Sequence, residues 1–504
     1  MPPDEPMTST VLVRAHEWRR LDPLMLLVHP VNELVRFLPL VIATVVFGSS
    51  GDDRGPWQWQ WIGVAIPIAL GVGRFLTTRF RITTEQVELR RGLFARSVLR
   101  APLDRVRTVE VTSSPIHRLL GLAKVAIGTG SAARAGDERL ELDGLALRHA
   151  RELRTALLHR AGTTDVPGAA GAVTRRPDTG RVLLRFDPRW LRYAPLTSSG
   201  IVIAAAVAAG VGQLVDAAGD RLTRWSLPDL AQLALWIAVP LGLVLAVALF
   251  SVFAVLGYLI TNGGFRLSVD PSGRTFHVTR GLVTTRETTL ERDRIRGVEV
   301  HEPLGLRLGG AARLSAAVTG LDRRTGGTSP LAPPAPYDVV IGVGTEILDG
   351  SPALVVPLRH HGPRALRRRY LRAASGLGLP LLVAAAITLQ DRSWAWTLLP
   401  TTLLLVVAEP LARDRYRRLG HALDARHLVV SSGTFSSRRQ VLAREGIIGW
   451  NIRQSWFQRR GGLCDLVATT SAGRQACTAH DVPEPVAVAL ASAAVPGLLG
   501  QFRG

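Results

Sequence analysis

Three stretches of this chain align with one another without a gap, and this internal repeat constrains the fold more than any other feature. They are RRGLFARSVLRAPLDRVRTVEVTSSPIHRLLGLAKV from Arg90, TRGLVTTRETTLERDRIRGVEVHEPLGLRLGGAARL from Thr279, and SSGTFSSRRQVLAREGIIGWNIRQSWFQRRGGLCDL from Ser431. With Gly92, Gly281 and Gly433 as anchors, an acid follows twelve residues later: Asp104, Asp293, Glu445. A β-branched aliphatic residue comes two further on (Val106, Ile295, Ile447). An arginine stands twenty-six residues after each anchor (Arg118, Arg307, Arg459), and a second glycine three beyond it (Gly121, Gly310, Gly462). Five matched columns in three copies mean one module used three times.

The module reads as short strands. Residues 80–90 are partly alternating and β-branched, and Gly92 suits a hairpin turn. Val106, Val109 and Val111 begin a further strand, matched by Val298 and Val300, and 124–128 and 312–318 read as later strands. A closing helix is expected at 149–160, 363–374 and 483–499, the last capped by Asp481. Such a unit folds as a small barrel or sandwich closed by one helix. The proline-rich stretch 322–337 reads as a loop insertion in the second copy, and 162–188 as a linker.

Apolar segments precede each module. A helix needs about 20 largely apolar residues to cross a bilayer. Six candidates appear, in three pairs: 35–47, drawing on 24–31, with 57–75; 196–215 with 230–259, the longer able to tilt or to hold Pro240 as a kink; and 371–389 with 394–408, the first and last cores being short and reaching the interface only with their flanking residues. The loops within pairs are short and carry acids (Asp52 and Asp53; Asp216, Asp220 and Asp229), or are a tight turn at 390–393. The long segments between pairs hold most of the arginines, so the positive-inside rule places the modules and both termini in the cytoplasm. Trp57, Trp59, Trp61, Trp225, Trp394 and Trp396 lie near the outer ends, as interfacial indoles do. Arg36 and Arg74 near the inner ends can snorkel. The absence of mid-span acids argues against a proton or ion pump. The expected organisation is helical hairpins at 24–76, 189–259 and 371–412, with modules at 77–161, 260–370 and 413–504.

Composition agrees: of 504 residues, 47% are hydrophobic and only 20% charged. The formal net charge is +21, and Lys124 is the single lysine. Excess positive charge raises nucleic acid as a partner. Here the arginines gather beside apolar runs, as beneath an anionic leaflet, and nucleic acid is not expected. Cys464 and Cys477 have no CxxC spacing, so neither zinc nor a disulfide is expected in a reducing compartment. Asp4 and Glu5 precede the first apolar run, unlike the basic start of a signal peptide. His360 and His361 are adjacent and cannot share one helix face. No HExxH, GxSxG or phosphate-binding loop stands out; Ser113, Ser114, Ser198 and Ser199 have no histidine in register, and GVGRF at Gly71 lies in an apolar span. No enzyme activity, cofactor or metal is expected.

Two apolar spans followed by ITTEQVELRRGLF, APLDRVRTVEV and IHRLLGLAKV resemble the bacterial pleckstrin-homology-like (PH-like) membrane proteins of the YdbS/YdbT type. The resemblance covers nearly the whole chain and is strongest over 80–131; the third copy departs most, with Trp450 where the others have Val109 and Val298. It implies a bent seven-stranded sheet capped by a C-terminal helix, and a plasma-membrane location, without implying a reaction. The expected fold class is therefore membrane α plus β, with six transmembrane helices in three hairpins, each followed by a cytoplasmic PH-like domain.

The repeated arginines could contact lipid phosphate or pair with Asp104, Asp293 and Glu445 of their own modules, the second being the plainer reading. The repeated glycines suit turns and close approach. Basic clusters beside the spans (Arg90, Arg91, Arg96, Arg100; Arg364, Arg367, Arg368, Arg369; Arg413, Arg415, Arg417, Arg418) suit anionic headgroups or set topology alone. Two functions are compatible: a non-enzymatic membrane scaffold binding protein partners or anionic lipids, or a component exporting lipids or toxic peptides.

Overall fold

The computed structural model describes residues 18–20, 22–25, 72–73, 77–83, 86–91, 97–102, 108–128, 140–150, 153, 180–197, 228–319 and 327–497. The spans expected at 35–47, 57–75 and 196–215 lie almost entirely outside these residues.

The first repeat contains β1 (Arg19–Arg20), β2 (Arg79–Ile82), β3 (Gln86–Arg91), β4 (Ser97–Pro102) and β5 (Thr108–Ser113), then a short helix α1 (Pro115–Leu119), β6 (Leu122–Gly128) and β7 (Leu140–Ala146). The second has β8 (Arg181–Arg185), the long helix α2 (Pro228–Asn262), β9 (Arg266–Val269), β10 (Thr275–Arg280), β11 (Thr285–Glu291), β12 (Ile295–Pro303), α3 (Leu304–Leu308), β13 (Ala311–Val318), β14 (Thr328–Pro336) and α4 (Tyr337–Ile347). The third has α5 (Gly362–Gln390), α6 (Leu398–Arg417), β15 (Gly420–Leu423), β16 (His427–Ser432), β17 (Ser436–Ala443), β18 (Ile447–Arg453), α7 (Trp456–Arg460), β19 (Leu463–Thr470), β20 (Ala476–Pro483) and α8 (Glu484–Ala494).

Each repeat makes two antiparallel half-sheets. Alternation drives this: β7 buries Leu140 and Leu142 and turns Glu141 outward. In the third repeat, Leu428, Val430 and Leu442 of the first half-sheet, Leu466, Ala468 and Ala479 of the second, and Leu490 of α8 share one core. In the first, Phe80, Val87 and Leu89 meet Val109, Val125 and Leu142 in the same way. The three glycines Gly121, Gly310 and Gly462 all have positive φ (68°, 68° and 61°), which explains their column in the repeat.

The chain divides into two compact units, and the division does not respect the repeats. The first unit comprises 1–179 plus 277–290, most of the second repeat's β10–β11 hairpin. There β11 pairs antiparallel with β5, Glu287 opposite Val111 and Thr288 opposite Glu110. Within the second unit the arrangement recurs one repeat on: β17 pairs with β12, extending the sheet β14-β13-β12-β17-β16-β15. Each repeat thus lends its hairpin to the sheet of the repeat before it.

The strands also enclose the apolar segments. Arg19 and Arg20 pair with Phe80 and Arg79, and β8 pairs with β9 across Arg181–Val269 and Arg185–Arg266. In the third repeat Arg359 bridges to His421. A residue before each apolar insertion is hydrogen-bonded to a strand after it, so both ends of the insertion are neighbours. The modules therefore begin ahead of their helices, and the linker expected at 162–188 contains β8.

Three further expectations change. Residues 328–336 of the expected loop insertion form β14, the outermost strand of its sheet, where proline's missing N–H costs no ladder bond. The second repeat's closing helix is α4, whereas residues 363–374 belong to the long helix α5. Asp481 does not cap α8, whose N-cap is Pro483. Helix α5 and the helical run Arg392–Arg417 are long and apolar enough to cross a membrane, and the fourth expected span lies within the 35-residue α2. Trp394 and Trp396, in the 3-10 turn between α5 and α6, are exposed and stack at 6.2 Å.

Candidate functional site at the joints of the repeats

One joint ties helix to sheet. In β20 a bulge places Asp481 at φ 54°, fully buried. Arg369 of α5 reaches its Oδ2 at 2.6 Å, and Arg368 pairs with Oδ1. Gln458 donates to Asp481 Oδ1 (3.0 Å) and to Asp465 Oδ1 (2.6 Å), while Ser455 and Gln458 form the capping box that starts α7. Beside them His361 Nδ1 lies 2.7 Å from the His480 carbonyl, which requires its proton there. Nε2 then accepts from His421 Nδ1 at 2.9 Å, so the pair is neutral. Burial, then the neighbouring His421, pushes His361 down to about 4. No cluster of three metal-ligating side chains occurs among the described residues.

The same place in the other repeats also receives a preceding segment. Gly144, the first-repeat counterpart of Asp481, has φ 82° and lies against Met25, whose Cγ stands 2.2 Å from where a Cβ would be. In the second repeat Tyr258 of α2 donates to the Pro334 carbonyl at 2.7 Å. The bulged last strand is the common seat of the segment flanking each apolar insertion.

Sequence reasoning missed one hydrogen-bonded chain. Ser114 Oγ lies 2.5 Å from His117 Nδ1, and His117 Nε2 lies 3.0 Å from Asp143 Oδ1. The residue types are those of a hydrolytic triad. Here Ser114 is the N-cap of α1 and accepts from the His117 amide. Its counterpart in the third repeat is Ser455 with Gln458, which cannot serve as a base. The signal was the repeat itself: both pairs share one spacing within their modules, and a network that survives His-to-Gln exchange is a cap and a joint.

The second joint lies between repeats. Among the described residues, Arg118 pairs with no acid of its own module. Its Nη2 donates to the Val283 carbonyl (3.2 Å) and to Thr285 Oγ1, in the hairpin of the following repeat. Arg307 does the same one repeat on, donating to the Thr434 carbonyl and to Asp414, each at 3.1 Å. Asp293 and Glu445 are exposed in the first turns of short 3-10 helices, and Asp104 lies outside the described residues. Arg459, the third member, is exposed and has no partner among the described residues.

The basic clusters separate by burial. Arg368 and Arg369 are engaged by Asp481, and Arg418 by Asp414 at 3.2 Å. Arg369 is only 5% exposed, which leaves no guanidinium for a headgroup. Arg90 is exposed and lies over the Trp18 ring at 4.0 Å, while Arg100, also exposed, reaches Glu88 at 3.2 Å. Arg367 and Arg417 face solvent and Arg415 is partly covered. Arg96 and Gly92 lie outside the described residues, and only the backbone of Arg91 is described. Gly281 and Gly433 have positive φ at the hairpin turns.

No curated protein and no solved structure matches the chain. A family model described as the bacterial PH domain matches it three times, at residues 34–161, 204–336 and 377–494. Each match starts within an apolar insertion and takes in the half-sheets that follow, in the order the repeat requires. With three matches spanning well over half its length, the chain belongs to the bacterial PH domain family.

Proposed function

We infer that the chain is a multi-pass membrane scaffold. Its three helical hairpins, six helices in all, sit in the plasma membrane, and its bacterial PH domains lie at the cytoplasmic face. One observation carries this reading: strand pairs close the base of the first two apolar insertions and a β-bridge closes that of the third. A segment whose two ends are held one strand apart leaves the domain and returns to it, crossing a bilayer an even number of times. The exposed apolar faces of α5 and α6, such as Leu379, Leu382, Leu403 and Val406, have no protein cover and suit lipid. Trp394 and Trp396 would then sit at the outer interface.

Domains with arginines turned outward suit partners carrying negative charge. Arg90, Arg100, Arg367 and Arg417 are the available contacts for anionic headgroups, each worth about 1 kcal/mol near the surface. The scaffold role follows from the structural use of the buried polar networks, which leaves the outer surfaces for partners.

Single cysteines at exposed positions test the topology in intact cells. A cysteine at Leu282 or Phe435 is expected to resist an impermeant maleimide until the membrane is opened, and one at Trp396 to react from outside. Labelling of any PH domain from outside would overturn the topology. Binding of the full chain in nanodiscs to soluble anionic headgroup analogues tests the lipid arm, with loss on combined charge removal at Arg90, Arg100, Arg367 and Arg417 expected.

A further inference from the structure

The two internal junctions use one register. Counted from the hairpin glycines, Thr288 and Gln440 are each the seventh residue, while Glu110 and Glu299 are each the eighteenth; Thr288 faces Glu110 and Gln440 faces Glu299. Pairing of this kind leaves two strands over. In the first repeat β4 is the counterpart of β11 and β17, yet among the described residues it pairs only with β3. In the third repeat β18 is the counterpart of β5 and β12, yet among the described residues it pairs only with β19. The chain thus ends in two different sheet edges, each the complement of the other.

The unpaired β18 edge carries apolar side chains. Ile452 is 43% exposed, whereas its counterparts Val111 and Val300 are 2% and 0% exposed. Beside it Trp456 and Phe457 of α7 are exposed, as is Ile448. On β4, Val98 is 47% exposed. Arg459, whose counterparts each grip the hairpin of the following repeat, is exposed and holds no such hairpin among the described residues. Long open edges are normally blunted by lysine, proline or a bulge. These edges carry no lysine, the one proline, Pro102, stands at the end of β4, and the bulge between Ile447 and Gly449 recurs between Ile295 and Gly297 of β12, which pairs with β17 all the same.

We propose that chains join head to tail, β18 of one copy pairing antiparallel with β4 of a second copy, so that the strand pairing between successive repeats continues from chain to chain. The shared register sets the contacts: Ile452 opposite Val98, Asn451 opposite Leu99 and Trp450 opposite Arg100. The contact is heterologous, so the assembly closes as a ring or extends as a strip. It rests on the sheet edges alone, so its failure would leave the topology and the headgroup contacts standing.

Cross-linking of full-length protein in native membranes tests this. Val98→Cys and Ile452→Cys, expressed in separate chains of one cell, are expected to form a mixed covalent dimer under mild oxidation. Either variant alone is expected to give none, and both together in one chain a ladder. Self-dimers of a single variant, an intrachain disulfide without a ladder, or no product from the mixture would each overturn the proposal. Both positions are surface-exposed, so folding is retained. As a second measurement, the wild type extracted in mild detergent is expected at a multiple of 54.4 kDa and the Ile452→Lys variant at the monomer mass; a monomeric wild type would overturn it.

Discussion

Gln440 faces Glu299 across the boundary between the third and second repeats, Nε2 to Oε2 at 3.2 Å, and Thr288 faces Glu110 at the same register one repeat earlier. Covalent succession and strand order therefore run together: each domain's hairpin completes the sheet of the domain before it. The following expectations come from that arrangement.

Gly297 and Gly449 occupy one column of the repeat. A Cβ on Gly297 would lie 2.1 Å from the Val441 carbonyl oxygen of the paired strand, whereas one on Gly449 would meet nothing within 4 Å. Gly297→Ala is expected to cost about 1–3 kcal/mol by forcing β12 and β17 apart. Gly449→Ala should stay within about 0.5 kcal/mol in the monomer. Denaturant unfolding of the detergent-solubilised chain compares them, and equal losses would remove the junction argument.

Arg307 holds both the hairpin of the next repeat and Asp414. Arg307→Ala is expected to lower stability by roughly 1.5–3 kcal/mol, the range for hydrogen bonds to charged groups. Arg459→Ala, at a side chain without a partner among the described residues, should leave the melting temperature of the monomer unchanged.

Asp481 is the buried carboxylate that pairs with both Arg368 and Arg369 and accepts from Gln458. Asp481→Gly keeps the left-handed backbone that Gly144 shows is allowed, yet strands Arg369 in the interior. A loss of about 3–5 kcal/mol is expected, as for a broken buried pair. Limited proteolysis at the base of α5 should increase at the same time.

His301 accepts from Arg313 Nε through Nδ1 at 2.6 Å and bonds Ser436 through Nε2, so it is neutral. Burial, then Arg313, Arg438 and Arg474, holds it down to about 3. The unfolded chain binds a proton at His301 near pH 6.5 and the folded chain does not. Stability is therefore full above about pH 6.5 and falls as pH drops toward 3, by at most about 1.4 kcal/mol per pH unit from this group. His361 acts in the same direction. Melting temperature against pH should flatten in His301→Gln; an unchanged slope would assign the acid sensitivity elsewhere.

Burial raises the thiols of Cys464 and Cys477 to about 11 and about 12. They face Val482 and Ala468 across β19–β20 and not each other. Both should resist maleimide in the folded chain and react on unfolding, with no disulfide to reduce.

Much of the fold was legible in the chain itself. The threefold repeat, the hairpin glycines, most of the strands and the apolar segments are local patterns, because periodicity, turn chemistry and hydropathy act over a few residues. Residues 328–336 were misread because proline signals a loop wherever strand position is unknown, and it is the sheet edge that makes LAPPAP a strand. Ser114, His117 and Asp143 went unnoticed as a network because Asp143 enters from β7, two strands away from the cap.

What the sequence alone determined is that one module occurs three times, with a greasy insertion in each, since composition and spacing carry that information. Only the tertiary structure decided whom each module touches. Arg118 and Thr285 are far apart along the chain, and an arginine's local spacing does not distinguish an acid of its own module from a carbonyl of the next. Edge pairing has the same character: backbone N–H and C=O groups are alike on every strand, so the partner is chosen by where the packed domains bring the edges together.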